Sequence, residues 1–363
     1  MVIKDCIMSS IRALVVDDSI LTRQVIQAIL STDGQIQIVG EASNGREAVR
    51  KVTACAPDVV IMDIEMPVMN GFEAIEEIMA QHPVPILVVS SMDDAKTAFR
   101  AISLGALEVM SKSEIDVERP DILICKVKYL AGVKVISHIR KWGKGKEAAP
   151  RPRPAMAGLR PSRIIVIAAS TGGPKALSVI IPALPADFPW PIVIAQHMAG
   201  GFASGMADWL SKISRLPVKV ADEKEDVAPG LIYLSPPEKH LTLGRDNRTI
   251  LVDPRPDDIY HPSCDALLSS VAAVHGSRTI GVILTGMGSD GAEGMRNIKA
   301  AGGFTIAQDR ASSVVFGMPK VAIEKNCIDK VLPLDEIAGA IIRMVSKARA
   351  GAQPVFGRSG SQS

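Results

Sequence analysis

Aromatic residues are scarce in this chain, at 4% of 363 positions. Surfaces that stack nucleobases depend on them, so a single-stranded nucleic-acid platform is not expected. An excess of charge of one sign is also lacking. The 41 Lys and Arg against 39 Asp and Glu leave a net +2, too little for a surface that tracks phosphates. The five cysteines (Cys6, Cys55, Cys125, Cys264, Cys327) are odd in number and form no CxxC pair. That pattern argues against a disulfide framework and suggests no zinc site, and a reducing compartment fits it. No run reaches the ~18 uncharged apolar residues of a membrane span. The opening MVIKDCIMSSIRALVVDDS holds neither an apolar signal core nor a small-residue cleavage site. A cytoplasmic protein is expected, with no membrane insertion and no nucleic-acid partner.

What is present is the composition of a folded chain, 47% apolar and 22% charged. The length allows two domains at ~150 residues each. In the first half, apolar runs at 12–18, 37–42, 58–64, 85–91 and 108–112 read as parallel strands. Helical patterns at 20–31, 45–55, 72–81 and 94–104 separate them, and a last helix carries Ile124, Val127, Ala131 and Val135 on one face. This predicts an α/β domain over 11–140, a five-stranded parallel (βα)5 sheet. Residues 143–162, GKGKEAAPRPRPAMAGLRPS, then bring four prolines, five basic residues and one acid without apolar periodicity. They are expected to form an extended linker over 141–162. Strands at 163–169, 191–195, 279–284 and 304–307 alternate with helical stretches, and a turn-rich insertion with short strands occupies 218–262. This predicts a larger, mostly parallel, doubly wound α/β domain over 163–346, followed by a disordered tail at 347–363.

Asp17 and Asp18 end the first expected strand, Asp63 the third, Ser90 the fourth and Lys112 the fifth. Strand ends of a parallel sheet share one edge, where ligands bind. Three carboxylates meeting there repel one another unless a cation sits among them, and hard oxygen ligands suit Mg²⁺. Taken singly, each residue reads as a strand-end cap or a surface charge. All five in register form a layout for phosphoryl transfer to a carboxylate. With VVDDS and MDIEMPVMNG, this half resembles the receiver domains of two-component response regulators over roughly 11–140. The resemblance implies Asp63 as phospho-acceptor, with Asp18 a direct and Asp17 a water-mediated Mg²⁺ ligand. It also implies the Glu65 carbonyl on the metal and Ser90 and Lys112 as the switch pair. Ser113 follows Lys112 where the family usually has proline, and Val109 stands where an aromatic is common.

In RIIVIAASTGGPKALSVI, an apolar strand breaks on Ser170-Thr171-Gly172-Gly173 before Pro174 opens a helix. Such Gly-rich turns more often bind phosphate or merely turn the chain. His197 follows a second strand by two residues, and Asp290 lies in a Gly-rich loop after a third. By itself His197 is as readily a structural histidine, and Asp290 a loop cap. In a parallel sheet the three loops share one edge, where hydroxyl, imidazole and carboxylate make an acyl-transfer set. His261, in DDIYHPSCD, is a further pocket candidate.

ASTGGPKAL, AQHM, GFA, ILTGMGSDGAEGM and TIAQDRASSVVFGMP follow in the order of the protein-glutamate methylesterase domain of bacterial chemotaxis, which this half resembles over about 163–346. The resemblance implies Ser170 as nucleophile, His197 as general base, Asp290 as its orienting partner and Met287 beside the pocket. It implies no cofactor at this site, and hydrolysis of glutamyl methyl esters on chemoreceptor helices, with glutamine deamidation by the same chemistry. A chemotaxis histidine kinase would be the phosphodonor. Ala199-Gly200 and Ser289 depart from common family residues, and DDIYHPSCD is less basic than its usual counterpart. The alternative is a response regulator with a non-catalytic binding output. Against it, the second half lacks a short three-helix unit with a basic recognition helix.

Overall fold

The computed structural model describes residues 10–91, 98–133, 135 and 163–351. The expected linker at 141–162 lies outside the described residues, as do 352–363 of the expected tail. Five strands, β1 (Ile11–Val16), β2 (Ile36–Ala42), β3 (Val59–Asp63), β4 (Ile86–Ser90) and β5 (Glu108–Ser111), form a parallel sheet in the order β2-β1-β3-β4-β5. The strands read as unbroken apolar runs because helices cover both faces. Ala13 and Val15 face α1 (Ile20–Leu30) and the helix Asp121–Ala131, whereas Leu14 and Val16 belong to the core under α2 (Gly45–Cys55) and α3 (Gly71–Gln81). Ser19, Asn44 and Asn70 cap α1, α2 and α3 through their side chains, and Asn70 completes a capping box with Glu73. Each such cap is worth about 1 kcal/mol. The expected helix at 94–104 is seen as α4 (Arg100–Leu104); residues 92–97 are outside the described set. The helix Asp121–Ala131, α5, ends at Gly132, short of the Val135 expected on its face.

The second domain has a seven-stranded sheet in which every pairing is parallel. Its strands are β6 (Ile164–Ala169), β7 (Ile192–Gln196), β8 (Val218–Val220), β9 (Ile232–Leu234), β12 (Thr279–Ile283), β13 (Phe304–Gln308) and β14 (Lys330–Leu332), in the order β14-β13-β12-β6-β7-β9-β8. The turn-rich insertion supplies β8 and β9 to this sheet and an antiparallel hairpin, β10 (His240–Leu243) with β11 (Thr249–Val252). The helices α6 (Gly173–Ala183), α7 (Ala203–Ile213) and α11 (Leu334–Gly351) pack on the face of Ile165, Ile167 and Ile194. On the opposite face, α8 (Cys264–His275), α9 (Ala292–Ala300) and α10 (Met318–Glu324) cover Val166, Ala168 and Val193. Residues 347–351, expected in the tail, continue α11.

The two domains share a buried apolar contact. Phe99 of the first stacks on Trp209 of the second, ring centroids 5.8 Å apart, and meets Phe202 edge-on at 6.3 Å. The Trp209 indole N–H donates to the Ser103 hydroxyl at 3.0 Å. Among the described residues, no helix is long and apolar enough to cross a membrane.

Candidate active sites

In the first sheet the strand order reverses between β1 and β3, and the residues leaving those two strands are Asp17, Asp18 and Asp63. This is the crevice where open α/β sheets hold ligands. One carboxylate oxygen from each lies within 4.8 Å of the others, with Asp17 and Asp63 buried and Asp18 exposed. Lys112 Nζ stands 2.9 Å from both Asp17 and Asp63. On the Asp17 side this is an ion pair without hydrogen-bond alignment, so Asp17 Oδ2 remains a buried acceptor with no aligned donor. Burial, and then the Asp17 charge, push the Asp63 carboxyl up to about 6 despite the Lys112 ammonium. Burial lowers Lys112, but its two carboxylates outweigh this and hold the ammonium above its ordinary value. Among the described residues, the buried Ser90 hydroxyl makes a long 3.5 Å hydrogen bond to the Ser91 carbonyl. Ser113, in place of a proline, uses its N–H, which donates to Ser111 Oγ at 3.2 Å within a short 3₁₀ turn. Proline has no such donor.

In the second sheet the reversal falls between β6 and β12. Ala169 and Gln196 are the last paired residues of β6 and β7, so Ser170 and His197 leave the sheet side by side. The Ser170 main chain is fixed three ways: its N–H donates to the Thr285 carbonyl at 3.1 Å, and its carbonyl accepts from Gly173 N–H at 2.7 Å and Gln196 Nε2 at 2.9 Å. Gly172 sits at φ +77°, and a Cβ there would fall 2.6 Å from the Val314 side chain. This left-handed turn next to a crowded wall admits only glycine. Gly286 is as tight, since a Cβ there would lie 2.6 Å from that of Ser170. Met287 follows Gly286, four residues past the end of β12, and is 38% exposed.

His197 Nε2 is 2.8 Å from Asp290 Oδ2. Asp290 also accepts the N–H groups of Cys264 (2.6 Å) and Asp265 (2.8 Å) at the start of α8. Burial pushes this carboxyl up, but the His197 contact and the helix-end donors more than offset it and hold it below its ordinary value. The Tyr260 ring stacks on the imidazole, centroids 5.0 Å apart and 13° from parallel. Among the described residues no hydrogen bond joins the Ser170 hydroxyl to the ring, although both line one cavity of about 500 Å³. Catalytic hydrogen bonds commonly tighten only around substrate. His261 lines the same cavity. Its opposite wall is the first domain, including Phe99, Glu108, Val109 and Lys126.

Comparison with known proteins assigns each domain to a family. The response regulator receiver domain family matches residues 13–123, and the CheB methylesterase family matches 165–341. A protein-glutamate methylesterase/protein-glutamine glutaminase of Paramagnetospirillum magneticum is 45% identical over 352 residues, covering 95% of this chain and 98% of that protein. One from Anaeromyxobacter dehalogenans is 41% identical over 334 residues, covering 91% and 96%. The crystal structure of the Thermotoga maritima CheB methylesterase catalytic domain matches at 43% identity, covering 50% of this chain and 98% of that one, with a TM-score of 0.49. The chain belongs to the protein-glutamate methylesterase/protein-glutamine glutaminase family. It joins a receiver domain to a methylesterase domain, as its sequence led one to expect.

Three residues at this methylesterase site carry no sequence signal of their own. Tyr260 stacks on His197 from a loop whose path the strand pattern does not reveal. Cys264 looks like one of five scattered cysteines, yet its Sγ lies 3.4 Å from His197 Nε2. Burial, with the Asp290 charge adding, pushes that thiol well above its ordinary value. Glu108, on β5 of the receiver domain, reads as an ordinary strand residue but reaches into the second domain, where its carboxylate accepts the Gly172 N–H.

Proposed function

We propose that this enzyme hydrolyses glutamyl methyl esters on chemoreceptor cytoplasmic helices, with Ser170 as nucleophile, His197 as general base and Asp290 as its orienting carboxylate. The observation that carries the reading is the His197–Asp290 pair, 2.8 Å apart, at the strand end that neighbours Ser170. With Nε2 turned to Asp290, Nδ1 is the nitrogen left to take the serine proton. Ser170 Oγ attacks the ester carbonyl and methanol leaves with the proton held by His197. Water then attacks the acyl-enzyme with the same base, releasing the glutamate carboxylate. Main-chain N–H groups near Ser170 and Met287 would stabilise the developing oxyanion, an effect worth ~3 kcal/mol per donor in other hydrolases. Ammonia in place of methanol turns the same sequence into glutamine deamidation, the second activity in the relatives' names.

In this reading residues 11–140 act as a phosphorylated switch and 163–346 as the esterase, joined through 141–162. Asp63 accepts a phosphoryl group from a chemotaxis histidine kinase. Mg²⁺ fits the donor set, since Asp17 Oδ2 is a buried acceptor lacking an aligned donor. Asp17, Asp18, Asp63 and the Glu65 carbonyl would hold it, and when bound it neutralises phosphoryl charge. Ser90 and Lys112 then draw toward the phosphoryl oxygens. Release of methanol from methylated receptor, compared between wild type and Ser170→Ala, tests the esterase assignment. A variant that keeps a substantial part of the wild-type rate overturns it.

A further inference from the structure

His197 Nε2, Cys264 Sγ and an Asp290 carboxylate oxygen lie within 4.8 Å of one another. The sulfur is 3.4 Å and the carboxylate oxygen 2.8 Å from Nε2. Zinc binds nitrogen, sulfur and oxygen at about 2.0–2.3 Å, which sets tetrahedral neighbours roughly 3.3–3.7 Å apart. The nitrogen–sulfur distance already falls in that range, and the nitrogen–oxygen pair needs to part by about half an ångström to admit the ion. We propose that they form a binding site for a thiophilic divalent cation, zinc being the best match, and that occupancy of this site switches the esterase off.

The donor chemistry favours such an ion over Mg²⁺. An imidazole and a thiolate select zinc-like metals, whereas carboxylates and carbonyls alone suit Mg²⁺. Three protein ligands and one remaining position make an open, reversible site rather than a closed structural one. Each ligand is already oriented by a neighbour, as metal ligands require. The His197 main-chain N–H donates to the Ala169 carbonyl at 3.1 Å, and the imidazole ring itself is stacked by Tyr260. Asp290 Oδ1 is held by the Asp265 N–H at 2.8 Å, and the Cys264 main chain starts α8. The cavity that reaches His197 supplies an entry path.

The protons balance simply. The ion displaces the Cys264 thiol proton to solvent, as coordination does to a thiol. The imidazole stays neutral and carries its single proton on Nδ1, leaving Nε2 for the metal. Asp290 Oδ2 exchanges its hydrogen bond from the ring for the metal and keeps that from Cys264 N–H. A ring protonated on Nδ1 and anchored through Nε2 can no longer accept the Ser170 proton. Only this inhibitory consequence rests on the proposed esterase mechanism; the binding does not. It also explains why the cysteine pattern gave no hint of a metal site: a single cysteine from the chain joins a histidine and an aspartate from two other loops.

The test titrates the full-length chain with Co²⁺ as a visible stand-in and then displaces it with Zn²⁺. Wild type should develop a thiolate-to-cobalt absorption band that Zn²⁺ abolishes, with affinity rising as pH rises because a proton is released. Cys264→Ala should lose that band, as should the nearly isosteric Cys264→Ser, which keeps the test intact if the smaller residue unfolds the protein. Measured against its own metal-free rate, each variant should need far more Zn²⁺ for inhibition than wild type. The loss should exceed the roughly 10–100-fold that follows removal of a mere hydrogen-bond partner of a ligand. Chelation should restore the wild-type rate. Identical cobalt spectra in wild type and both variants, or equal sensitivity to Zn²⁺, overturns the proposal. A Cys264-dependent band in a protein that releases no methanol in any form upholds the metal site and sinks the esterase reading instead.

Discussion

The carboxylate of Glu108, on β5 of the receiver domain, accepts a 2.6 Å hydrogen bond from the N–H of Gly172, two residues past Ser170. Gly172 caps α6, so this carboxylate sits at the positive end of an 11-residue helix. Its second oxygen is 3.7 Å from Lys126 of the same domain. A charge-assisted bond of this kind is short and strong, and it places a glutamate side chain on the loop expected to receive one from substrate.

The contact should hold the esterase closed. Glu108→Ala removes the acceptor and Phe99→Ala removes the ring stacked on Trp209, an aromatic pair worth about 0.5–1.5 kcal/mol beyond its buried area. Each variant should release methanol faster than wild type before phosphorylation, with ~1.4 kcal/mol of lost docking giving about tenfold more open enzyme. After phosphorylation the rates should converge. Steady-state methanol release measured before and after a phosphodonor checks this, and unaltered basal rates in both variants would rule out closure through this surface.

Acidity should tighten the same contact. Burial raises the Glu108 carboxyl above its ordinary value, against the lowering influence of Lys126 and the Gly172 N–H. Docking therefore favours the protonated form relative to a solvated, undocked side chain. Its contribution to the closed state is present at and below the ordinary carboxylate pKa and fades as pH rises through the raised one. The ratio of unphosphorylated to phosphorylated turnover, which cancels the titration of the catalytic residues, should rise with pH across that window. Glu108→Gln should flatten the profile. A ratio with the same pH dependence in wild type and variant is the adverse result.

Ser170→Ala and His197→Ala should each lower turnover by several orders of magnitude, and the double variant should be little worse than either. Asp290→Asn should keep more activity, since it removes orientation and charge rather than the attacking group. Single-turnover release of methanol from one labelled receptor preparation measures all four. Strict additivity of the Ser170 and His197 losses would show that the two side chains do not act as a unit.

Much of this was readable from strand ends. The apolar runs of β1, β3, β6 and β7 fix where Asp17, Asp63, Ser170 and His197 emerge, because parallel strands end on one edge. The three-residue β14 has no period to read, and it forms only because β13 offers a free edge. Val135 fits the helical spacing of α5, but Gly132 ends the helix first. Contacts between domains were harder still. Glu108, Phe99 and Trp209 are ordinary buried-strand or helix residues until the second sheet is placed against the first. Cys264 carries no such signal, because cysteine spacing along the chain reports nothing of a histidine 67 residues away in sequence.

Phosphorylation should be visible at Trp209. A small phosphodonor with Mg²⁺ should label the chain once, at Asp63, and Asp63→Asn and Asp18→Ala should each abolish labelling, the latter through loss of a metal ligand. The added charge should draw Lys112 from its ion pairs with Asp17 and Asp63, and Ser90 with it, toward the phosphoryl oxygens, shifting the β4–β5 edge that carries the docking surface. Val109 offers no aromatic ring to relay that shift, but Phe99 stacks directly on Trp209, whose indole N–H is held by Ser103. Undocking breaks both contacts and exposes an indole that is only 6% accessible when closed. Tryptophan emission should therefore move to the red when phosphodonor is added, in step with the rise in methanol release. With Trp142 first replaced by phenylalanine throughout, Trp209→Phe should remove the spectral change, since Trp190, the remaining tryptophan, lies buried within the esterase core. An emission shift that survives in Trp209→Phe, or a rise in turnover with no shift in wild type, would mean that phosphorylation activates the enzyme without parting the two domains.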